Sequence, residues 1–180
     1  MAKLLIVVDM QNDFVRGHLS TPEARETIGG IQAKIRRYLE DGHGVLFTMD
    51  THLDSDYQQQ DATAEAAALP KHCIKGTGGW EIVDELKPYV NADNVIEKPT
   101  FMAADEEERI WEHVADTAGD EIELCGVCTD ICVISNALYL RAKFPRAKIT
   151  VDPACCAGVT PDTHQAALTA MKSCLIDVGC

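Results

Sequence analysis

Residues Ile122–Val133 read IELCGVCTDICV, an apolar segment that passes directly into a helical pattern. The first four residues predict a short buried β-strand, which ends at Gly126. A helix is predicted to begin after Thr129 as its N-cap residue, so that Cys132 takes the third helical position. Free backbone N–H groups and the helix dipole there would favour the nucleophilic thiolate form of Cys132. The alternative is that Cys132 is a small buried hydrophobic residue like other cysteines of the chain.

The same order of strand and helix recurs on both sides of this segment. The apolar run Leu4–Val8, for example, is typical of a strand that is covered on both faces of a parallel sheet. The six predicted strands are Leu4–Val8, Val45–Met49, Asn94–Glu97, Ile122–Cys125, Lys148–Val151 and Cys174–Val178. Helices are predicted after caps at Thr21 and Thr160, and over Trp80–Leu86, Asp105–Ala118 and Asp130–Phe144. This alternation predicts a doubly wound α/β fold of three layers, with a mainly parallel six-stranded sheet and helices on both faces.

Length and composition predict a single domain over residues 1–180, because 46% hydrophobic and 25% charged residues are ordinary globular values. The formal net charge of −13 argues against nucleic acid or an anionic membrane as a partner. Apolar runs are too short for an export signal or a membrane span, so the eight cysteines are expected to be reduced thiols of a cytoplasmic protein. The Cys125 and Cys128 pair is discounted as a redox or zinc motif, since Cys125 should be buried and no second such pair exists.

Several chemically active residues follow predicted strands directly. Because ligands of doubly wound folds bind outside the carboxyl ends of the strands, Asp9, Asp50, Lys98 and the Cys128–Cys132 turn should meet at one edge. There Asp9 is a candidate base, and Lys98 is a cation that would lower the pKa of the thiol. The N–H groups of the turn are candidate oxyanion donors. The alternatives are a loop carboxylate that caps a backbone N–H for Asp9 and a solvated side chain for Lys98.

The segment 51–79 lacks helical or strand periodicity and is predicted to be an insertion that forms a metal site or lid, or else a surface loop. With Asp50 before it, the segment brings together His52, Glu65 and His72. Two imidazoles and one or two carboxylates suit a divalent ion such as Zn²⁺, Fe²⁺ or Mn²⁺. Asp50 and His52 lie two residues apart on an extended segment, so their side chains should point the same way.

These motifs occur together and in a fixed order. They are Val8–Phe14 (VDMQNDF), Asp50–His52, Leu69–Cys73 (LPKHC), Gly76–Thr77, Glu97–Lys98 and Gly126–Val133 (GVCTDICV). On these residues the chain resembles the isochorismatase-like cysteine hydrolases nearly end to end, and within them the nicotinamidases. The resemblance implies a catalytic triad of Asp9, Lys98 and Cys132. It also implies a cis peptide bond between Val127 and Cys128, with the N–H groups of Cys128 and Cys132 forming the oxyanion hole.

The resemblance further implies one divalent metal ion, with zinc expected first and iron or manganese as alternatives. Its ligands would be Asp50, His52 and His72, with the pyridine nitrogen of nicotinamide as a further ligand. Glu65 has the spacing of an additional ligand used by some relatives, whereas Tyr57 stands where others carry a histidine. Three residues match positions that wall the substrate ring, and core packing is their alternative role: Phe14, Leu69 (in place of a more usual aromatic residue) and Phe101.

The activity implied is hydrolysis of nicotinamide to nicotinate and ammonia through a cysteine thioacyl-enzyme, as in NAD salvage. Self-association is also implied, since it is common in the family. One alternative is a hydrolase of the same family that acts on another small amide or carbamoyl compound. A different class, less favoured because the triad is complete, is a non-catalytic metal-binding or redox domain. Vinyl ether cleavage, the isochorismatase reaction, needs neither the histidines at positions 52 and 72 nor a thiol.

Overall fold

The computed structural model describes residues 2–57, 64–103 and 107–179. Its centre is a six-stranded sheet in the order β3-β2-β1-β4-β5-β6, in which every neighbouring pair is parallel. The strands are β1 Lys3–Val8, β2 Gly44–Asp50, β3 Val95–Lys98, β4 Glu121–Val127, β5 Lys148–Ala157 and β6 Asp177–Val178. The predicted fold class is therefore confirmed. The strand order reverses between β1 and β4, and such a reversal opens a crevice at the carboxyl ends of these two strands.

Strand β1 lies at the centre of the sheet because its residues Leu4–Val8 are apolar and all buried. It pairs with β2 from Leu4 to Val8 and with β4 from Lys3 to Val8. Gly126 makes the second pairing possible at its carboxyl end. A Cβ atom on Gly126 would lie 2.1 Å from the carbonyl oxygen of Val8, and its φ of 116° is a conformation that favours glycine.

Among the described residues, six α-helices accompany the sheet. They are α1 Asn12–Val15, α2 Pro22–Glu40, α3 Ala64–Ala68, α4 Glu107–Trp111, α5 Ile134–Lys143 and α6 Pro161–Ser173, with 3₁₀ turns at Asp54–Tyr57 and Lys87–Tyr89 and a π-helical turn at Thr129–Val133. The predicted caps of the second and sixth helices are confirmed, since Thr21 and Thr160 accept backbone N–H bonds from Ala24 and Thr163. Helix α2 contacts β1, β2, β4 and β5 and has Ile31 and Ile35 fully buried. Each such side chain contributes about 1.5–3 kcal/mol.

The prediction of a helix over Trp80–Leu86 is wrong. Ile82 instead forms an isolated antiparallel bridge with Gln11, and the chain then turns into the 3₁₀ segment Lys87–Tyr89. The last strand is also shorter than predicted, because Cys174 caps the carboxyl end of α6 and Leu175 has a φ of 61°.

The helix predicted over Asp105–Ala118 is found only as α4, and residues 104–106 of that region lie outside the described residues. Within the described ranges, no helix is both long and apolar enough to cross a membrane.

Candidate active site

The carboxyl ends of β1, β2 and β3 bring three charged side chains into the interior of the protein. Asp9 directly follows β1, while Asp50 and Lys98 are the final residues of β2 and β3 and are paired in register. All three side chains are at most 1% exposed. The prediction that these strand ends converge on one edge is confirmed.

Lys98 is the centre of this group of charges. Its Nζ lies 2.7 Å from Asp9 Oδ2 and 3.6 Å from Asp50 Oδ1. The same ammonium donates to Cys132 Sγ at 3.6 Å and to the carbonyl oxygen of Thr100 at 3.1 Å. Burial alone would lower the pKa of Lys98, but the charges of Asp9 and Asp50 raise it, so the side chain is a cation. The solvated role considered for Lys98 is excluded by this geometry.

Asp9 is held by the neighbouring strand as well as by Lys98. The hydroxyl of Thr48 donates to Asp9 Oδ1 at 2.6 Å, and the backbone N–H of Asp9 donates to the carbonyl of Thr48 at 3.2 Å. Burial raises the pKa of Asp9 more than the positive charge of Lys98 lowers it. A buried carboxylate with a raised pKa is well suited to accept a proton during a reaction.

The segment that carries Cys132 begins differently from the prediction. Cys128, rather than Thr129, precedes the first turn, which is π-helical, and the Thr129 hydroxyl lies 2.8 Å from Nδ1 of His164 on α6. Thr129 is therefore not a capping residue, since its side chain pairs with another helix. The Val127–Cys128 peptide bond is cis, as the resemblance implies.

The expected thiolate at Cys132 is not supported by its surroundings. Burial raises the pKa of Cys132 well above its usual value, and the charge of Asp9 adds to this effect while that of Lys98 opposes it. The helix dipole favours the thiolate, but the side chain is shielded from water, and this burial is the largest effect on its pKa. A thiol with a raised pKa beside a carboxylate and an ammonium needs a base when it reacts, and Asp9 is in place for that role.

A second group of side chains lies on the other side of Asp50. Asp50 Oδ2 is 3.1 Å from Nε2 of both His52 and His72, and Glu65 Oε1 is 3.6 and 3.4 Å from the same two nitrogen atoms. Their potential ligand atoms all lie within 4.8 Å of one another. The structure thus brings together all four side chains that the sequence nominates as metal ligands.

The charges of this cluster fit a bound cation. Burial would lower the pKa values of His52 and His72, but the carboxylates of Asp50 and Glu65 raise them to about 9 and about 10. The Nδ1 of His72 lies 2.9 Å from the carbonyl oxygen of Pro70, which suits an Nδ1–H donor. Its buried Nε2 makes no hydrogen bond of good geometry with any described residue. A metal ion would replace a proton at such a nitrogen, so the four residues fit a divalent ion such as zinc.

Two residues of the predicted motif around Asp9 have roles that the sequence did not indicate. Gln11 is fully buried and bonds to the backbone of Asp50 and Trp80. Asp13 accepts the backbone N–H of Cys73 at 2.8 Å, next to His72. In the sequence both are polar residues of the run that follows the first strand, which does not reveal their partners.

The three residues proposed to wall a substrate ring differ in their surroundings. The ring of Phe14 is half-buried, with its centroid 5.5 Å from that of His72. Leu69, which directly follows α3, is half-buried, and the side chain of Phe101 is 37% exposed. The carbonyl of Phe101 accepts a hydrogen bond from Asn136 on α5 at 3.0 Å, which attaches the loop after β3 to the helix that follows Cys132.

Comparison with known proteins agrees with this architecture. A nicotinamidase/pyrazinamidase of Mycobacterium tuberculosis is 26% identical over 186 residues, covering 99% of this chain and 98% of the relative. The crystal structure of a nicotinamidase/pyrazinamidase from Bacillus subtilis superimposes with a TM-score of 0.84 at 30% identity, covering 99% and 100% of the two chains. The pyrazinamidase of Pyrococcus horikoshii, solved in complex with zinc, gives a TM-score of 0.79 at 27% identity, with coverage of 99% and 98%.

The model of the isochorismatase domain matches residues 3–180, which is nearly the whole sequence. The match includes every strand of the sheet and all the residues of the buried cluster described above. This chain therefore belongs to the isochorismatase family.

Proposed function

We propose that this isochorismatase-family amidohydrolase converts nicotinamide to nicotinate and ammonia, with Cys132 as the nucleophile. The observation that carries the proposal is the position of Lys98, which contacts Asp9 and the sulfur of Cys132 and lies 3.6 Å from Asp50 of the four-residue cluster. A thiol, a carboxylate that could act as a base and the four candidate metal ligands thus lie within one buried site. The small-molecule amide would be its partner, in a cytoplasmic and self-associating protein as the resemblance implies.

The buried groups of the site each have a part in this reaction. Asp9 takes the proton of the Cys132 thiol as the sulfur attacks the amide carbonyl. Lys98 stabilises the anionic charge that moves between sulfur and carboxylate, and the N–H groups of Cys128 and Cys132 donate to the carbonyl oxygen as it becomes negative. Asp9 then gives this proton to the amide nitrogen, which leaves as ammonia when the C–N bond breaks. It activates a water molecule that hydrolyses the thioester and frees nicotinate.

The residues Asp50, His52, Glu65 and His72 would hold the divalent ion. When bound, the ion supplies a Lewis-acid position for the ring nitrogen of nicotinamide. Phe14, Leu69 and Phe101 would contact the faces and edge of the ring. Together these contacts would hold the amide carbon within reach of the sulfur, and fixed orientation is a major part of rate enhancement.

Ammonia release from nicotinamide by the purified protein tests the proposal. We expect release by the wild type, loss of release after chelation, and recovery when zinc, iron or manganese is returned. Cys132→Ala should abolish release while keeping the metal content of the wild type, and turnover at the wild-type rate in this variant would refute the nucleophile.

Leu69 favours a second candidate, a hydrolase for another small amide or carbamoyl compound, because a leucine stacks on an aromatic ring less well than an aromatic residue does. Full metal content without ammonia release from nicotinamide would support that candidate. Metal content with no turnover of any such amide would instead indicate a non-catalytic metal-binding domain.

A further inference from the structure

The side chain of Gln11 lies beside the end of β2, at a point where β1 no longer pairs with that strand. The last paired residues of β1 and β2 are Val8 and Thr48. Beyond them, Asp9 has a φ of 48° and the chain turns away. Asp50, two residues farther along β2, therefore has no β1 residue paired with it in register.

The carboxamide of Gln11 takes the place of that missing residue. Its Oε1 accepts the backbone N–H of Asp50 at 2.8 Å, and its Nε2 donates to the backbone carbonyl of Asp50 at 2.8 Å. A neighbouring parallel strand would supply the same two bonds from two of its residues. Nε2 also donates to the carbonyl of Trp80 at 2.8 Å, so one amide holds two segments of backbone.

The opposite side of Asp50 is held by the sheet itself. Asp50 pairs with Lys98, and the N–H of Thr51 donates to the carbonyl of Lys98 at 2.9 Å. With Gln11 on one side and β3 on the other, the backbone around Asp50 is held by hydrogen bonds from both sides. Its carboxylate is thereby fixed 3.1 Å from the Nε2 atoms of both His52 and His72.

We infer that Gln11 is a positioning residue that sets the metal affinity of the site through the backbone of Asp50. The inference rests on the metal site of the proposed function. Gln11 touches none of the proposed ligand side chains by any bond described above, so its effect is indirect. Loss of a hydrogen-bonded partner of a metal ligand typically lowers metal affinity by roughly ten- to hundredfold.

A second buried amide provides a matched control. Asn136 also makes three hydrogen bonds through its side chain, donating to the carbonyls of Cys132 at 2.7 Å and Phe101 at 3.0 Å and accepting from the N–H of Ala103 at 3.1 Å. It is buried like Gln11, but its partners belong to the nucleophile side of the site. Replacing either amide with an apolar residue of similar size removes three bonds and adds no charge.

The test compares the zinc dissociation constants of Gln11→Met and Asn136→Leu with that of the wild-type protein, by competition with a chromophoric chelator. We expect Gln11→Met to bind zinc roughly ten- to hundredfold more weakly and Asn136→Leu to bind it as the wild type does. The rate at which iodoacetamide alkylates Cys132 should be unchanged in Gln11→Met, a result that a general loosening of the fold would not give. If Gln11→Met does not fold, Gln11→Asn, which keeps the amide but is one methylene shorter, should show the same direction of change.

Equal zinc affinities in all the proteins, or an equal loss in both variants, would overturn the role of Gln11 and leave the proposed metal site intact. A wild-type protein that does not bind zinc, iron or manganese would overturn both the metal site and the inference. Weaker zinc binding in Gln11→Met together with an altered alkylation rate would also overturn it, because the effect would then not be confined to the metal side.

Discussion

Replacing Lys98 with methionine removes a cation that contacts both Asp9 and Asp50. At an effective dielectric constant of about 20, its distances of 2.7 and 3.6 Å correspond to roughly 6 and 5 kcal/mol of Coulomb attraction. Burying the ammonium costs several kcal/mol, and removal of one member of a buried ion pair usually costs about 3–5 kcal/mol in total. We therefore expect the free energy of unfolding at neutral pH to fall by about 3–5 kcal/mol in Lys98→Met.

The loss should depend on pH in a defined direction. The pKa of Asp9 already lies above its usual value because of burial, and removal of the Lys98 charge raises it further. A carboxyl group with a raised pKa in the folded state contributes stability that is complete below its unfolded pKa and is lost as pH rises through the folded one. The difference between wild type and variant should therefore be smaller at about pH 5 than at about pH 8.

Urea unfolding followed by tryptophan fluorescence, with a chelator present so that metal release does not contribute, measures this difference. Lys75→Met is the control, because Lys75 pairs with Glu97 at 2.5 Å but its side chain is 50% exposed. That variant should lose at most about 1 kcal/mol. If Lys98→Met lowers the free energy of unfolding by less than about 1 kcal/mol, or by the same amount at both pH values, Lys98 is not a buried charge that compensates Asp9 and Asp50.

Three further predictions concern the metal ligands, the nucleophile and the sheet. His72→Ala should lose metal and bind substrate more weakly with little change in folding, and full metal content by elemental analysis would contradict its assignment as a ligand. Because burial raises the pKa of Cys132, its alkylation by iodoacetamide should be slow near neutral pH and should accelerate as pH rises; a rate already at its plateau near neutral pH would contradict the raised pKa. Gly126→Ala should lower the free energy of unfolding by more than about 3 kcal/mol, since its Cβ would lie 2.1 Å from the carbonyl oxygen of Val8. In Gly78→Ala the added Cβ has no atom within 4 Å, so chemical denaturation should give a free energy of unfolding within about 0.5 kcal/mol of the wild type.

The strands of the parallel sheet and the edge at which the site lies follow from features that are local in sequence, whereas the order of the strands in the sheet does not. An apolar run such as Leu4–Val8 identifies a strand of a parallel sheet without knowledge of its neighbours. Polar residues placed directly after such runs, as Asp9 and Asp50 are, must lie at the carboxyl edge of the sheet. This placement predicts that Asp9, Asp50 and Lys98 share one edge, whereas His52, Glu65 and His72 are indicated by their residue types and by the family resemblance.

The raised pKa of Cys132, the hydrogen-bond partners of Thr129 and Gln11, and the conformation of Trp80–Leu86 depend on the tertiary structure. Thr129 has the right residue type for a helix cap, but His164, which lies 35 residues away, takes its hydroxyl. Gln11 looks like a loop residue until the turn at Asp9 leaves the backbone of Asp50 without a strand neighbour. In each case the outcome depends on which distant group removes water from the side chain and replaces its hydrogen bonds, and the separation of residues along the chain does not determine that.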